Sequence, residues 1–149
     1  MMEELLELRR YVQEHRYAEA LDLIADMEEM SKEDKVNKIR SFAAILLLHL
    51  VKQEAEKRTT RSWDISVRNA IREIHYTNQR RKAQGTYLTE DEMRGVIGEA
   101  YPMALDRASL EAFEGRYDER ELGHMVDRAA IQQKAYDLIA GFQSEHSKN

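Results

Sequence analysis

With 149 residues, 34% of them charged, and a formal net charge of −5, the chain has the size of one domain and an ion-rich surface. It holds no cysteine, which excludes disulfides, thiolate zinc sites and cysteine nucleophiles and suits a reducing compartment. Aromatics at 7%, a single proline and six glycines favour helices over a β-sandwich. The longest uncharged apolar run, Phe42 to Val51 with His49 inside it, is too short for a membrane span of about 20 residues. The first residues, MMEELLELRR, lack the basic-then-apolar order of a signal peptide. A cytoplasmic location without a membrane partner is therefore expected.

Taken in order, the chain predicts helices throughout. From Met2 to about Glu14, Leu5, Leu8 and Val12 fall at the spacings of an amphipathic helix. His15-Arg16 is a short joint. A second helix runs from Tyr17 to Met30, with Leu21, Ile24 and Met27 on one face and Glu19, Asp22, Asp26 and Glu29 on the outer one. Ser31 and Asp34 have the spacing of a capping box and predict the start of a third helix that reaches Lys57. Its stripe of Val36, Ile39, Phe42, Ala43, Leu46 and Leu50 widens to nearly the whole circumference by Val51, which places it at the centre of the core.

Thr59, Thr60 and Ser62 offer N-caps for a fourth helix with the apolar face Trp63, Val67, Ala70, Ile71, Ile74, ending at Gln84 before Gly85. Thr89 with Glu92 is a second capping box and opens a fifth helix through Val96, Ile97, Ala104 and Phe113. Pro102 inside it predicts a kink or break near Ala100 and Tyr101. After Gly115, Asp118 with Glu121 opens a sixth helix carrying Leu122, Val126, Ala130, Leu138 and Phe142, and Ser144 to Asn149 forms a fraying tail. Short joints make successive helices antiparallel. The expectation is an all-α fold: one domain over residues 1–149, an antiparallel bundle of five to six helices.

Charge is unevenly distributed. Lys57 to Lys82 holds eight Lys/Arg against Asp64 and Glu73, a balance of +6, so the remainder sums to −11. Along the fourth helix Arg61, Arg68, Arg72, His75, Gln79 and Lys82 form a polar stripe, and Arg80, Arg81 and Lys82 crowd its last turn, where cations oppose the helix dipole. Aligned arginines can displace counterions from RNA phosphates, with Tyr76 and Tyr87 stacking on bases. They can equally pair with acidic helices in the chain, in a second copy or on an acidic partner protein. A pI near 5.6 favours the protein partner. The binding candidates are Arg61, Trp63, Arg68, Arg72, Arg80 and Arg81, Trp63 doubling as the anchor of its helix.

Arg68-Asn69 followed by His75 is similar to the motif of HEPN-type ribonucleases, all-α dimers in which the arginine binds the scissile phosphate and the histidine helps move the proton. Arg68 and His75 are thus the catalytic candidates, one stabilising phosphoryl charge and the other titrating near neutrality. Glu121 and His124 match half of a helical di-iron signature whose second half the sequence lacks. His49 reads as a core histidine bonded to a carbonyl or carboxylate. The sequence contains no His-x-x-x-His pair, glycine-rich phosphate loop or Gly-x-Ser-x-Gly elbow, and no metal or cofactor is expected.

The segments DLIADMEEMSKEDK, LLLHLVK, KRTTRSW, VRNAIREI and EAYPMALDRASLEA, in that order, resemble the domain of unknown function 29 family over about Tyr17 to Ala112. The landmarks carried over are His49, Arg61, Trp63, Arg68 and Ala100-Tyr101. The chain departs from that pattern at Ser31, where the family has glycine, at Gln53-Glu54, where it has Gln-Pro, and in the lack of a C-terminal Cys-Pro element. The resemblance implies a bacterial α-helical bundle and no activity. The leading expectation is a non-enzymatic, self-associating helical interaction domain, and the other is an RNA-binding or RNA-cutting bundle using Arg68 and His75.

Overall fold

The computed structural model describes residues 2–80 and 85–146. Six α-helices account for most of them: α1 (Met2–Gln13), α2 (Tyr17–Glu56), α3 (Arg61–Asn78), α4 (Glu90–Glu111), α5 (Glu119–Gly123) and α6 (Arg128–His146). A 3-10 turn, Ala112–Gly115, follows α4. No β-strand occurs among the described residues, and none of their helices is long and apolar enough to cross a membrane. The chain divides into two compact units, one up to Lys35 and the other from Val36 onward.

The N-terminal unit consists of α1 and the first part of α2. Their joint is a Schellman turn: His15 takes a left-handed backbone (φ 60°) and the Arg16 N–H reaches back to the Tyr11 carbonyl at 2.8 Å. The Arg16 guanidinium covers the Tyr11 ring at 4.8 Å, and the Tyr11 hydroxyl donates to Glu7 at 2.6 Å. α1 buries none of its residues, and among the described residues of the unit only Ala20 is buried.

α2 is the main departure from expectation. The predicted second and third helices are one 40-residue helix, and Ser31 is an interior residue of it, not a cap. The stretch around it, DMEEMSKEDKV, holds no glycine or proline. The few tenths of a kcal/mol that Ser31 and Asp34 cost in a helix interior cannot stop propagation through such neighbours. α2 ends in a second Schellman turn, with Lys57 at φ 56° and the Arg58 N–H on the Gln53 carbonyl at 3.3 Å.

In the C-terminal unit the distal half of α2 is the core helix, as its all-round apolar pattern predicts. Ile39, Ala43, Leu46, Leu47 and Val51 are fully excluded from solvent. Each large side chain there contributes about 1.5–3 kcal/mol before conformational entropy is subtracted. Around it lie Ile71 and Ile74 of α3, Val96, Ile97 and Ala104 of α4, Leu122 of α5, and Ile131 and Ile139 of α6. α2 and α4 run parallel, tied by two ion pairs of equal sequence offset: Arg40–Glu99 at 3.0 Å and Lys52–Glu111 at 2.8 Å. α4 and α6 run antiparallel, with Arg94 bonded to Gln133 and Gly98 to Arg128.

α3 stops at Asn78, short of the predicted Gln84, which lies outside the described residues. A single antiparallel bridge between Gln79 and Thr86 follows, and the Asn78 side chain accepts the Leu88 N–H at 2.9 Å. The Thr89–Glu92 capping box opens α4 as read from the sequence. α4 then passes through Pro102 without a break. Proline cannot donate to the carbonyl four residues back, that of Gly98; Arg128 of α6 does so instead, at 3.3 Å.

The predicted sixth helix is two helices. Asp118 and Glu121 form their capping box, but it serves the five-residue α5. The chain breaks after Gly123, and the Asp127 carboxylate, accepting the Ala130 N–H at 3.1 Å, starts α6.

Candidate functional site

Two features of the C-terminal unit are built from the residues that the sequence singles out. The first is the solvent face of α3. Helical spacing puts Arg61, Ile65, Arg68, Arg72 and Tyr76 on one narrow stripe opposite the apolar face of Val67, Ala70, Ile71 and Ile74. All five stripe residues are exposed, Tyr76 by 57%. Arg61, Arg68 and Arg72 form no ion pair among the described residues. Pairing with acidic side chains of the same chain, one of the expectations for them, is not found among the described residues. Arg80 is also exposed, its guanidinium 5.7 Å from the Tyr87 ring, and Arg81 lies outside the described residues.

The second feature surrounds Trp63 at the α2–α3 joint. Thr60, the N-cap of α3, accepts the Trp63 N–H at 3.1 Å and fixes where the indole leaves the helix. The indole carries two cations, the Lys52 ammonium 4.5 Å and the Arg58 guanidinium 4.9 Å from its ring centre. Each cation has its own carboxylate, Lys52 on Glu111 at 2.8 Å and Arg58 on Glu56 at 2.9 Å. The other oxygen of Glu56 accepts the Phe113 N–H at 3.0 Å. Burial pushes the Glu56 carboxyl up, but the Phe113 N–H and Arg58 outweigh it and hold the group below the ordinary carboxylate range.

Phe113, Glu114 and Gly115 take three consecutive left-handed conformations (φ 52°, 58° and 79°), which aims the Phe113 amide at Glu56. Two of the three carry side chains that disfavour this region. An open cleft of about 300 Å³ lies among Trp63, Arg58, Glu111, Phe113 and Arg116.

Lys52, Glu56, Arg58 and Glu111 are the residues that sequence reasoning missed. One signal was available: a lysine ending the apolar run LLLHLVK must leave its charge where a partner can meet it.

The histidines lie elsewhere. His75 is buried, with the Phe142 ring edge-on at 4.9 Å, and the exposed His146 ring, 5.8 Å away, stacks on Phe142. Arg68 is exposed on the same helix, so the two catalytic candidates do not share an open groove. His49 is buried in the core, but its Nδ1 has no hydrogen-bond partner among the described residues, unlike the bonded histidine expected. Glu121 spends its carboxylate on the Asp118 N–H, and His124 is exposed. No group of three or more His, Asp or Glu residues able to hold a metal occurs among the described residues.

Burial lowers both His75 and His49, with a further lowering from His146 for the former and from Lys52 for the latter, while Glu111 raises His49. A histidine whose folded pKa is depressed binds its proton more readily in the unfolded chain. Folding stability is then complete above the ordinary histidine pKa of about 6.5 and falls as the pH drops below it. Glu56, also depressed, adds a second loss at lower pH, as the medium passes through the carboxylate range. The urea midpoint should therefore be level above about pH 7 and decline below about pH 6.5, and His75→Phe should flatten the upper part of that decline. A midpoint unchanged from pH 7.5 to 5.5 would contradict the burial of both imidazoles.

The molecule is thus a small all-α bundle in which the sequence-predicted arginines form an exposed row and the lone tryptophan sits in an ion-paired joint. The family model described as Domain of unknown function DUF29 matches residues 4–119, and the chain belongs to this family. The match begins in α1 and ends in α5, beyond both ends of the resemblance seen over Tyr17 to Ala112. No curated protein and no solved structure matches the chain.

Proposed function

We propose that the protein is a non-enzymatic helical interaction domain that associates with further copies of itself. The observation supporting this is the uncovered apolar surface of the N-terminal unit. α1 is twelve residues long and buries none of them, while Leu5, Leu6, Val12 and Leu21 are 48%, 59%, 48% and 66% exposed. An isolated helix of that length is marginal in water and depends on covering its apolar side. Exposed apolar side chains gathered on one small unit are what a protein-binding surface requires.

Light scattering over a concentration series at low and high salt tests the reading. The expected result is a mass above that of one chain which Leu5→Asp with Val12→Asp reduces. A wild-type chain that stays monomeric at about 100 μM in both salts ends it.

The unpaired arginines of α3 favour a second reading, an RNA-binding bundle in which Arg61, Arg68 and Arg72 lie on phosphates. Its catalytic version needs His75, and burial against Phe142 weighs against that. Wild-type protein inert on RNA, or Arg68→Ala and His75→Ala variants as active as wild type, would remove the catalytic version.

A further inference from the structure

Residues 1–35 carry eleven acids and five bases, a balance of −6, more than the whole chain's −5. On the first half of α2 the acids are ordered. Glu19, Asp22, Asp26, Glu29 and Glu33 are spaced three, four, three and four residues apart, which sets them in one row along the helix. All five are exposed. Glu19 pairs with Arg16 at 3.6 Å, and the other four form no ion pair among the described residues. On the opposite side of the same segment stand Tyr17, Leu21 and Ile24.

The row on α3 has a similar metre. Arg61, Ile65, Arg68, Arg72 and Tyr76 are spaced four, three, four and four apart. At about 1.5 Å per residue both rows are about 21–22 Å long. Alternating spacings of three and four are those at which two helices lie side by side over many turns at a shallow angle. Among the described residues one row offers four carboxylates without an ion pair and the other three such guanidinium groups, flanked by an exposed isoleucine and tyrosine.

We infer that the acidic row of α2 in one copy seats on the arginine row of α3 in a second copy. This rests on the self-association proposed above and names its polar contact. Guanidinium groups suit it because each can hold a carboxylate through two N–H donors. Exposed ion pairs add little affinity one by one, so the row sets register and speeds encounter while apolar side chains supply most of the holding energy. The contact joins unlike surfaces. It closes into a dimer when the two copies exchange both rows, and otherwise continues into a chain.

Two charge-reversed proteins test this: Asp22→Lys with Asp26→Lys and Glu29→Lys, and Arg61→Glu with Arg68→Glu and Arg72→Glu. Each replaced side chain is exposed, and circular dichroism checks that both proteins fold. By light scattering at low salt, each alone should weaken self-association at least tenfold. Their equimolar mixture should restore it, since lysine then meets glutamate and aspartate still meets arginine. A protein carrying all six changes should associate as wild type does.

If wild type associates and both triple variants associate equally well, the self-association reading survives and the row contact is overturned. If wild type is monomeric at every concentration, the reading and the contact both fall. A monomer that binds poly(U) RNA at low salt, and loses it with the arginine reversals, would give the row to phosphate instead.

Discussion

Replacing Trp63 with alanine is expected to lower the stability of the C-terminal unit by about 2–4 kcal/mol, somewhat less than the about 3–5 kcal/mol typical of fully buried aromatics because the indole is half-buried. Packing is only part of the loss. The indole is the surface on which the Lys52 ammonium and the Arg58 guanidinium rest. The Lys52 side chain is 5% exposed, so without the ring it depends on Glu111 alone to offset its desolvation. Arg58 in turn positions Glu56, which holds the Phe113 amide. The change should therefore loosen the turn after α4 as well as the start of α3. Urea unfolding gives the magnitude, and hydrogen exchange at the Phe113 amide tests the propagation. A loss below about 0.5 kcal/mol with Phe113 protection intact would mean that the joint is held by the helices alone.

The same substitution at two places in α2 should give opposite results. Leu46→Ala removes a side chain with no exposure and leaves a cavity walled by neighbouring helices, which costs about 2–5 kcal/mol. Leu21→Ala acts on a side chain that is 66% exposed and should stay within about 0.5 kcal/mol in dilute solution. Its effect should appear instead in the concentration dependence of association. Because the chain has two compact units, the Leu46 effect is read on the transition of the C-terminal one. If Leu21→Ala cost as much as Leu46→Ala in the isolated chain, the N-terminal unit would not carry an uncovered surface.

Much of the fold was legible because its signals are local. The caps at Thr60, Thr89 and Asp118 are hydroxyl or carboxylate side chains three residues before the amides they accept, and the sequence displays that spacing directly. The same logic failed at Ser31, where the spacing is present but a helix able to continue on both sides overrides it. The two Schellman stops fall where the sequence places the joints, although His15 and Lys57, not glycines, occupy the left-handed position. Of the kink or break expected at Pro102, the break is absent for a non-local reason: Arg128, twenty-six residues on, takes over the orphaned carbonyl. At the candidate site the period alone points to Arg61, Arg68 and Arg72, which are exposed, but also to His75, which is buried, and Gln79, which lies beyond the end of α3. The surroundings of Trp63 were not legible, because they join α2 to α4 and to the turn after it through Lys52–Glu111 and Glu56–Phe113, 59 and 57 residues apart. No pattern within one helix encodes such pairs.

The exposed row Arg61–Arg68–Arg72 also bears on handling. Mobile ions screen charge over about 8 Å at physiological ionic strength, so a sulfonate resin meets this protein one patch at a time and not as its total. A pI near 5.6 predicts that the protein flows past such a resin at neutral pH, yet three neighbouring guanidinium groups with no ion-paired carboxylate among the described residues should hold it back in dilute buffer. Elution position will therefore report the state of this one helix face. A preparation in which the face is covered will leave the column early, and one in which it is bare will be held.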